Sequence, residues 1–159
     1  MELFLKRILK ESHGNPIQQL VLGNLLGTVS RGQVCFYELE HLDLVSCYVS
    51  KDALLCGCWV SQPQDALFCL GDSIGKLHIL SLAKSSVVSL LSGHSDAIVD
   101  LTAHPSDSQW VVSASLDATV RLWHLESQTC LAVLESLSTT VVSFFGIWGL
   151  DVIGISSRR

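Results

Sequence analysis

The chain has 159 residues, enough for one domain with a buried core. Its 48% hydrophobic and 16% charged content is more apolar than an average soluble domain, yet no uninterrupted apolar run reaches the roughly 18 residues of a membrane span. A formal net charge of −5 without any basic stripe argues against direct binding of nucleic-acid phosphates.

The chain opens with MELFLKRILKESHG, whose apolar patch is too short for a signal-peptide core and lacks a small-residue cleavage site. Within it, ELFLKRIL (2–9) reads either as an outer strand or as a short amphipathic helix. Four short runs follow: IQQLVL (17–22), LLGTVS (25–30), VCFYEL (34–39) and LVSCYV (44–49). The next four are LCGCWV (55–60), FCLGDS (68–73), LHILSL (77–82) and VVSLLS (87–92). A third set comprises IVDLTA (98–103), VVSASL (111–116), VRLWHL (120–125) and CLAVLE (130–135), and VVSFFG (141–146) begins a fourth. All are rich in Val, Leu, Cys or aromatic residues and are separated by turn formers such as Gly32, Pro63-Gln64-Asp65, Gly75 and Pro105-Ser106-Asp107.

Corresponding runs of successive sets lie a step of about 43 residues apart, and only IQQLVL enters after a shorter connection. Four strands per unit at this period predict the blades of a β-propeller. Neighbouring blades cover both faces of a strand, which is why the runs are nearly continuous in apolar residues. The predicted fold is all-β: a single incomplete propeller over 1–159, with units at about 10–49, 50–92, 93–135 and 136–159. Three units have four strands and the last has half that number. Propellers close with about 4–8 blades, so the sequence predicts a truncated ring whose open faces promote self-association.

The six cysteines (35, 47, 56, 58, 69, 130) form no CxxC pair and most fall within strand-like runs. They are expected to be reduced structural thiols of an intracellular protein, with no metal site.

The third unit concentrates the polar residues: GHSDAIVDLTAHPSDSQWVVSASLDATVRLWHLE spans 93–126. A Ser, a His and an Asp so close together are either a nucleophilic triad or an internal lock. A triad also requires an exposed Ser and an oxyanion hole, and no GxSxG occurs. His94, Ser115, Asp117 and Trp123 instead resemble the pattern of WD repeats, and that resemblance implies a buried hydrogen-bonded network of the four. In it the imidazole N–H serves Asp117, and the Ser115 hydroxyl accepts the indole N–H. No catalytic residue, cofactor site or metal site is predicted.

Gly93-His94, Ser115, the turn Asp117 and Trp123 resemble the WD-repeat family, although His124 follows the Trp where Asp is usual. Unit two has Leu80 and Ile74 at the Trp and turn-Asp positions, and unit one has Tyr37 and Arg31. Both are expected to rely on apolar packing.

LKESHGNPI (9–17), GTVSRGQVCFYE (27–38), SCYVSKD (46–52), GHSDAIVDL (93–101) and HPSD (104–107) resemble one branch of that family. This is the extra sex combs, or embryonic ectoderm development, type of Polycomb-group protein. The resemblance implies a nuclear, non-catalytic scaffold that supports a SET-domain histone H3 lysine methyltransferase and binds histone H3 trimethyl-lysine in an aromatic cage. At two cage positions this chain has Gln18 and Leu55, which offer no aromatic face. The alternatives are a WD-repeat adaptor of an unrelated complex, such as a ubiquitin ligase or a trafficking coat in the cytoplasm, or an inactive truncated fragment.

Overall fold

The computed structural model describes residues 15–61 and 65–135, together with the backbone of 143–147 and 152–156. The segment 2–9, with its two readings, lies outside these residues.

Every regular element among the described residues is a β-strand. The first sheet is a meander of β1 (Ile17–Leu22), β2 (Leu26–Ser30), β3 (Gln33–Tyr37) and β4 (Leu44–Val49). The second repeats it with β5 (Leu54–Ser61), β6 (Ala66–Asp72), β7 (Lys76–Ser81) and β8 (Ser86–Ser92). The third is β9 (Ile98–Ala103), β10 (Trp110–Ser115), β11 (Thr119–His124) and β12 (Thr129–Glu135). A final hairpin joins β13 (Ser143–Ile147) to β14 (Val152–Ser156). All pairings are antiparallel. The first strands of the sheets meet in series, β1 against β5, β5 against β9 and β9 against β13. This is a partial β-propeller.

The core lies between the sheets. Val29, Val34 and Phe36 of the first sheet pack on Leu54, Phe68, Leu70 and Leu80 of the second. From the other face of the second sheet, Leu77, Ile79 and Leu91 pack on Ile98, Val111, Trp123 and Leu125 of the third. Successive residues of β7 thus serve two different interfaces, and the strand is apolar on both faces for that reason. Phe36, Trp59 and Phe68 form an aromatic trio with ring centroids 4.7–5.3 Å apart. Gly57 makes room for it, since a Cβ there would lie 2.5 Å from the Phe68 ring. The fourth strands β4, β8 and β12 are largely exposed.

The expectation of six reduced thiols is corrected. Cys35 and Cys47 face each other across β3 and β4 and are joined in a disulfide, while Cys56, Cys58, Cys69 and Cys130 are free. A strand register places two side chains directly opposite each other, and such a pair can bond across the ladder.

Candidate functional site

The polar cluster of the third sheet is assembled from three places. His94 sits in the connection from β8 to β9, Asp117 in the β10–β11 turn, and Ser113 and Trp123 within the paired strands. The turn places Ala118 at φ 66°, in the left-handed region. Gly93 lets the connection close over β11, because a Cβ there would come within 2.8 Å of the Trp123 ring.

The hydrogen bonds run in one direction. The Trp123 indole N–H donates to Ser113 Oγ at 2.8 Å. Ser113 Oγ lies 2.7 Å from His94 Nε2, and His94 Nδ1 lies 2.8 Å from Asp117 Oδ2. One tautomer satisfies all three contacts: Nδ1–H donates to the carboxylate and Nε2 accepts the serine proton. Asp117 also accepts from the Ser95 N–H at 3.0 Å, the Thr119 N–H at 2.9 Å and the Thr119 hydroxyl at 2.7 Å.

These contacts set the charges. Burial pushes the His94 imidazole below its ordinary pKa, and this outweighs the opposing pull of Asp117. Burial pushes Asp117 the other way, but hydrogen bonds from Thr119, Ser95 and His94 overcome it and hold the carboxyl well below the usual carboxylate range. The site is a neutral imidazole against an anionic carboxylate.

The expected role of Ser115 is corrected: Ser113 takes the indole N–H. Trp123 is paired opposite Val111, so Ser113 is two residues away on the same strand face and Ser115 is four. Four residues of strand span about 13 Å, beyond the reach of the indole N–H. Ser115 has another task. It accepts the Asp117 N–H and donates to the Asp96 carbonyl, fixing the turn.

Ser113, His94 and Asp117 have the connectivity of a nucleophilic triad, but Ser113 is 0% exposed and its oxygen already accepts the indole N–H. No substrate carbonyl can reach it. The chemistry available to this group is cohesion.

Unit two, expected to rely on apolar packing, is also corrected. Asp72 and His78 form a buried pair, with Nε2 2.8 Å from Oδ2. Asp72 Oδ1 accepts the Ile74 and Lys76 N–H groups of the β6–β7 turn. The stretch DSIGKLH (72–78), an Asp and a His flanking a glycine turn, carried the signal. Gly75, at φ 83°, lies so close to the His94 backbone that a Cβ would sit 2.6 Å from its carbonyl oxygen. The β6–β7 turn therefore touches the β8–β9 connection that carries His94. Of the two cage positions, Gln18 is exposed on β1 and Leu55 is half-buried on β5.

Residues 85–124, which include the cluster, match the family model of the WD domain, G-beta repeat. The chain is similar to Polycomb protein esc of Drosophila melanogaster, at 28% identity over 79% of this chain and 33% of that protein. It is also similar to Polycomb protein EED of Chaetomium thermophilum, at 29% identity over 53% of this chain and 16% of that protein. Set1 complex component swd2 of Schizosaccharomyces pombe is 37% identical over 42% of this chain and 18% of its own length. The chain spans about a third of the length of the first curated relatives it matches.

Proposed function

We propose that this chain is a non-catalytic protein-interaction scaffold of a nuclear chromatin complex, one that supports a histone H3 lysine methyltransferase as part of a Polycomb-type assembly. The observation that carries the reading is the combination of a closed polar network with similarity to two proteins named Polycomb and one named a Set1 complex component. The Ser, His and Asp that could have worked as a nucleophile are consumed in holding a blade together, which leaves surfaces as the working parts. On this reading, units of about 10–49, 50–92, 93–135 and 136–159 form one incomplete propeller, and its partners are a SET-domain protein and histone H3. Affinity purification from nuclei, followed by an assay for H3 lysine methylation, tests it. Recovery of a SET-domain methyltransferase is the expected result, and a ubiquitin-ligase or coat assembly in its place would overturn it.

Trimethyl-lysine recognition does not form part of this function. Gln18 and Leu55 present no aromatic face to a quaternary ammonium. Calorimetry with trimethylated and unmodified H3 peptides is expected to show no methylation-dependent heat.

A further inference from the structure

The third strand of each unit carries a different residue at one equivalent place: Cys35 in β3, His78 in β7 and Arg121 in β11. Opposite them on the fourth strands stand Cys47, Leu90 and Val133. Leu90 and Val133 are exposed, so these two cross-strand positions gain little from side-chain burial. The first unit alone replaces that weak contact with a covalent bond, Cys35 to Cys47.

The two sulfurs differ in access. Cys35 is 2% exposed, whereas Cys47 lies on the solvent side of β4 and is exposed. The Gln33 side-chain N–H donates to Cys35 Sγ at 3.3 Å, where it can stabilise a departing thiolate. The free thiols of the core are poor competitors: Cys58 is hydrogen-bonded to Cys69, and this bond and burial hold its thiol well up. Burial does the same to Cys56.

We propose that the Cys35–Cys47 disulfide is a reversible thiol-exchange site whose reactants are dithiol reductants. A thiolate of the reductant attacks Cys47 Sγ from solvent, in line with the sulfur–sulfur bond. That bond breaks, and Cys35 leaves as a thiolate and takes a proton. The reductant's second thiol then attacks its own sulfur in the mixed disulfide and releases Cys47 as a thiol. Two electrons pass to the protein, and the reductant becomes a disulfide. Exposed disulfides are the exchangeable ones, and those of intracellular compartments are mostly transient. Opening this one leaves β4 joined to β3 by its backbone ladder and the packing of Tyr48, with no covalent tie, like its counterparts in the other two sheets.

The test uses the full chain, air-oxidised. Non-reducing peptide mapping should recover the Cys35–Cys47 cross-link. A brief exposure to glutathione with acid quench should place the adduct on Cys47. Full reduction with dithiothreitol should then raise amide hydrogen exchange over residues 44–49 by about tenfold or more while leaving 86–92 unchanged. The Cys35→Ser/Cys47→Ser double variant should exchange at the reduced rate with or without dithiothreitol. An absent cross-link, an adduct on Cys35, or equal exchange in the two redox states would each overturn the proposal.

Discussion

At the scale of single residues, the serines of β10 divide the labour, and substitution should separate them. Ser113→Ala leaves the Trp123 indole N–H and His94 Nε2 without partners in a dry site, at a cost of about 1–3 kcal/mol. Ser115→Ala removes two part-buried turn bonds, from the Asp117 N–H and to the Asp96 carbonyl, but strands no side-chain group, and should cost about 1 kcal/mol. Urea midpoints of the two variants measure the difference, and equal losses would contradict the directional chain of bonds. The same measurement ranks two aspartates. Asp117→Ala, which strands four donors, should cost about 2–4 kcal/mol, well beyond Asp107→Ala on the exposed β9–β10 connection.

The pair should also make stability depend on pH, and both partners act in the same sense. His94 binds its proton less readily when folded, so below its ordinary value of 6.5 the unfolded chain protonates first and stability falls. Asp117 keeps its charge when folded to lower pH than when unfolded. Its contribution is present above about 4 and is lost as pH falls further, through the folded value. Denaturant midpoints should therefore decline from pH 7 to 5, and His94→Gln should flatten that slope. A midpoint that rises on acidification would mean that His94 is cationic in the fold.

Among elements, the three sheets solve one problem by different means. The strand-joining polar group is an Asp–His pair in the second sheet and a four-membered chain in the third, whereas the first sheet has a disulfide. Asp72→Asn should destabilise the second sheet, since the carboxylate accepts two turn N–H groups and His78 together. A loss of about 1–3 kcal/mol in urea is expected, with faster exchange of the Ile74 and Lys76 amides.

These differences mark where the sequence was readable. The strands were legible because burial on two faces imposes long apolar runs, and turn residues such as Gly75 punctuate them. His94, Asp117 and Trp123 were legible through their resemblance to the WD-repeat pattern, since the other two units carry different residues at the Trp and turn-Asp places. The choice of Ser113 over Ser115 was not. Both lie on one strand face and both are fully buried, so only the cross-strand register to Trp123 decides. The Cys35–Cys47 bond was hidden for a similar reason, because counting cysteines does not pair them and a ladder does. The Asp72–His78 pair fell at positions where the family pattern directs attention elsewhere.

For the whole molecule, the exposed apolar residues set the expected behaviour in solution. Leu22 and Val49 are each 72% exposed, and Leu20, Leu44, Val45, Leu131 and Leu134 are also exposed. Apolar patches of a few hundred Å² or more favour association. Light scattering on the purified chain should show concentration-dependent species above its 17.3 kDa mass. A monodisperse monomer with a cooperative melt would refute this expectation.

The seam between the first two sheets has a polarity of its own. The Gly57 N–H on β5 finds the Gln19 side-chain oxygen at 2.6 Å, and the Trp59 indole N–H finds the Val21 carbonyl at 3.1 Å. Both donors belong to the later segment and both acceptors to β1. Chains are made from the amino terminus at about 5–20 residues per second, so β1 has left the ribosome seconds before β5 follows it. Each acceptor is waiting when its donor arrives. The edge of the first sheet is thus a docking template during synthesis, and the second sheet can be laid against it strand by strand without waiting for the rest of the chain.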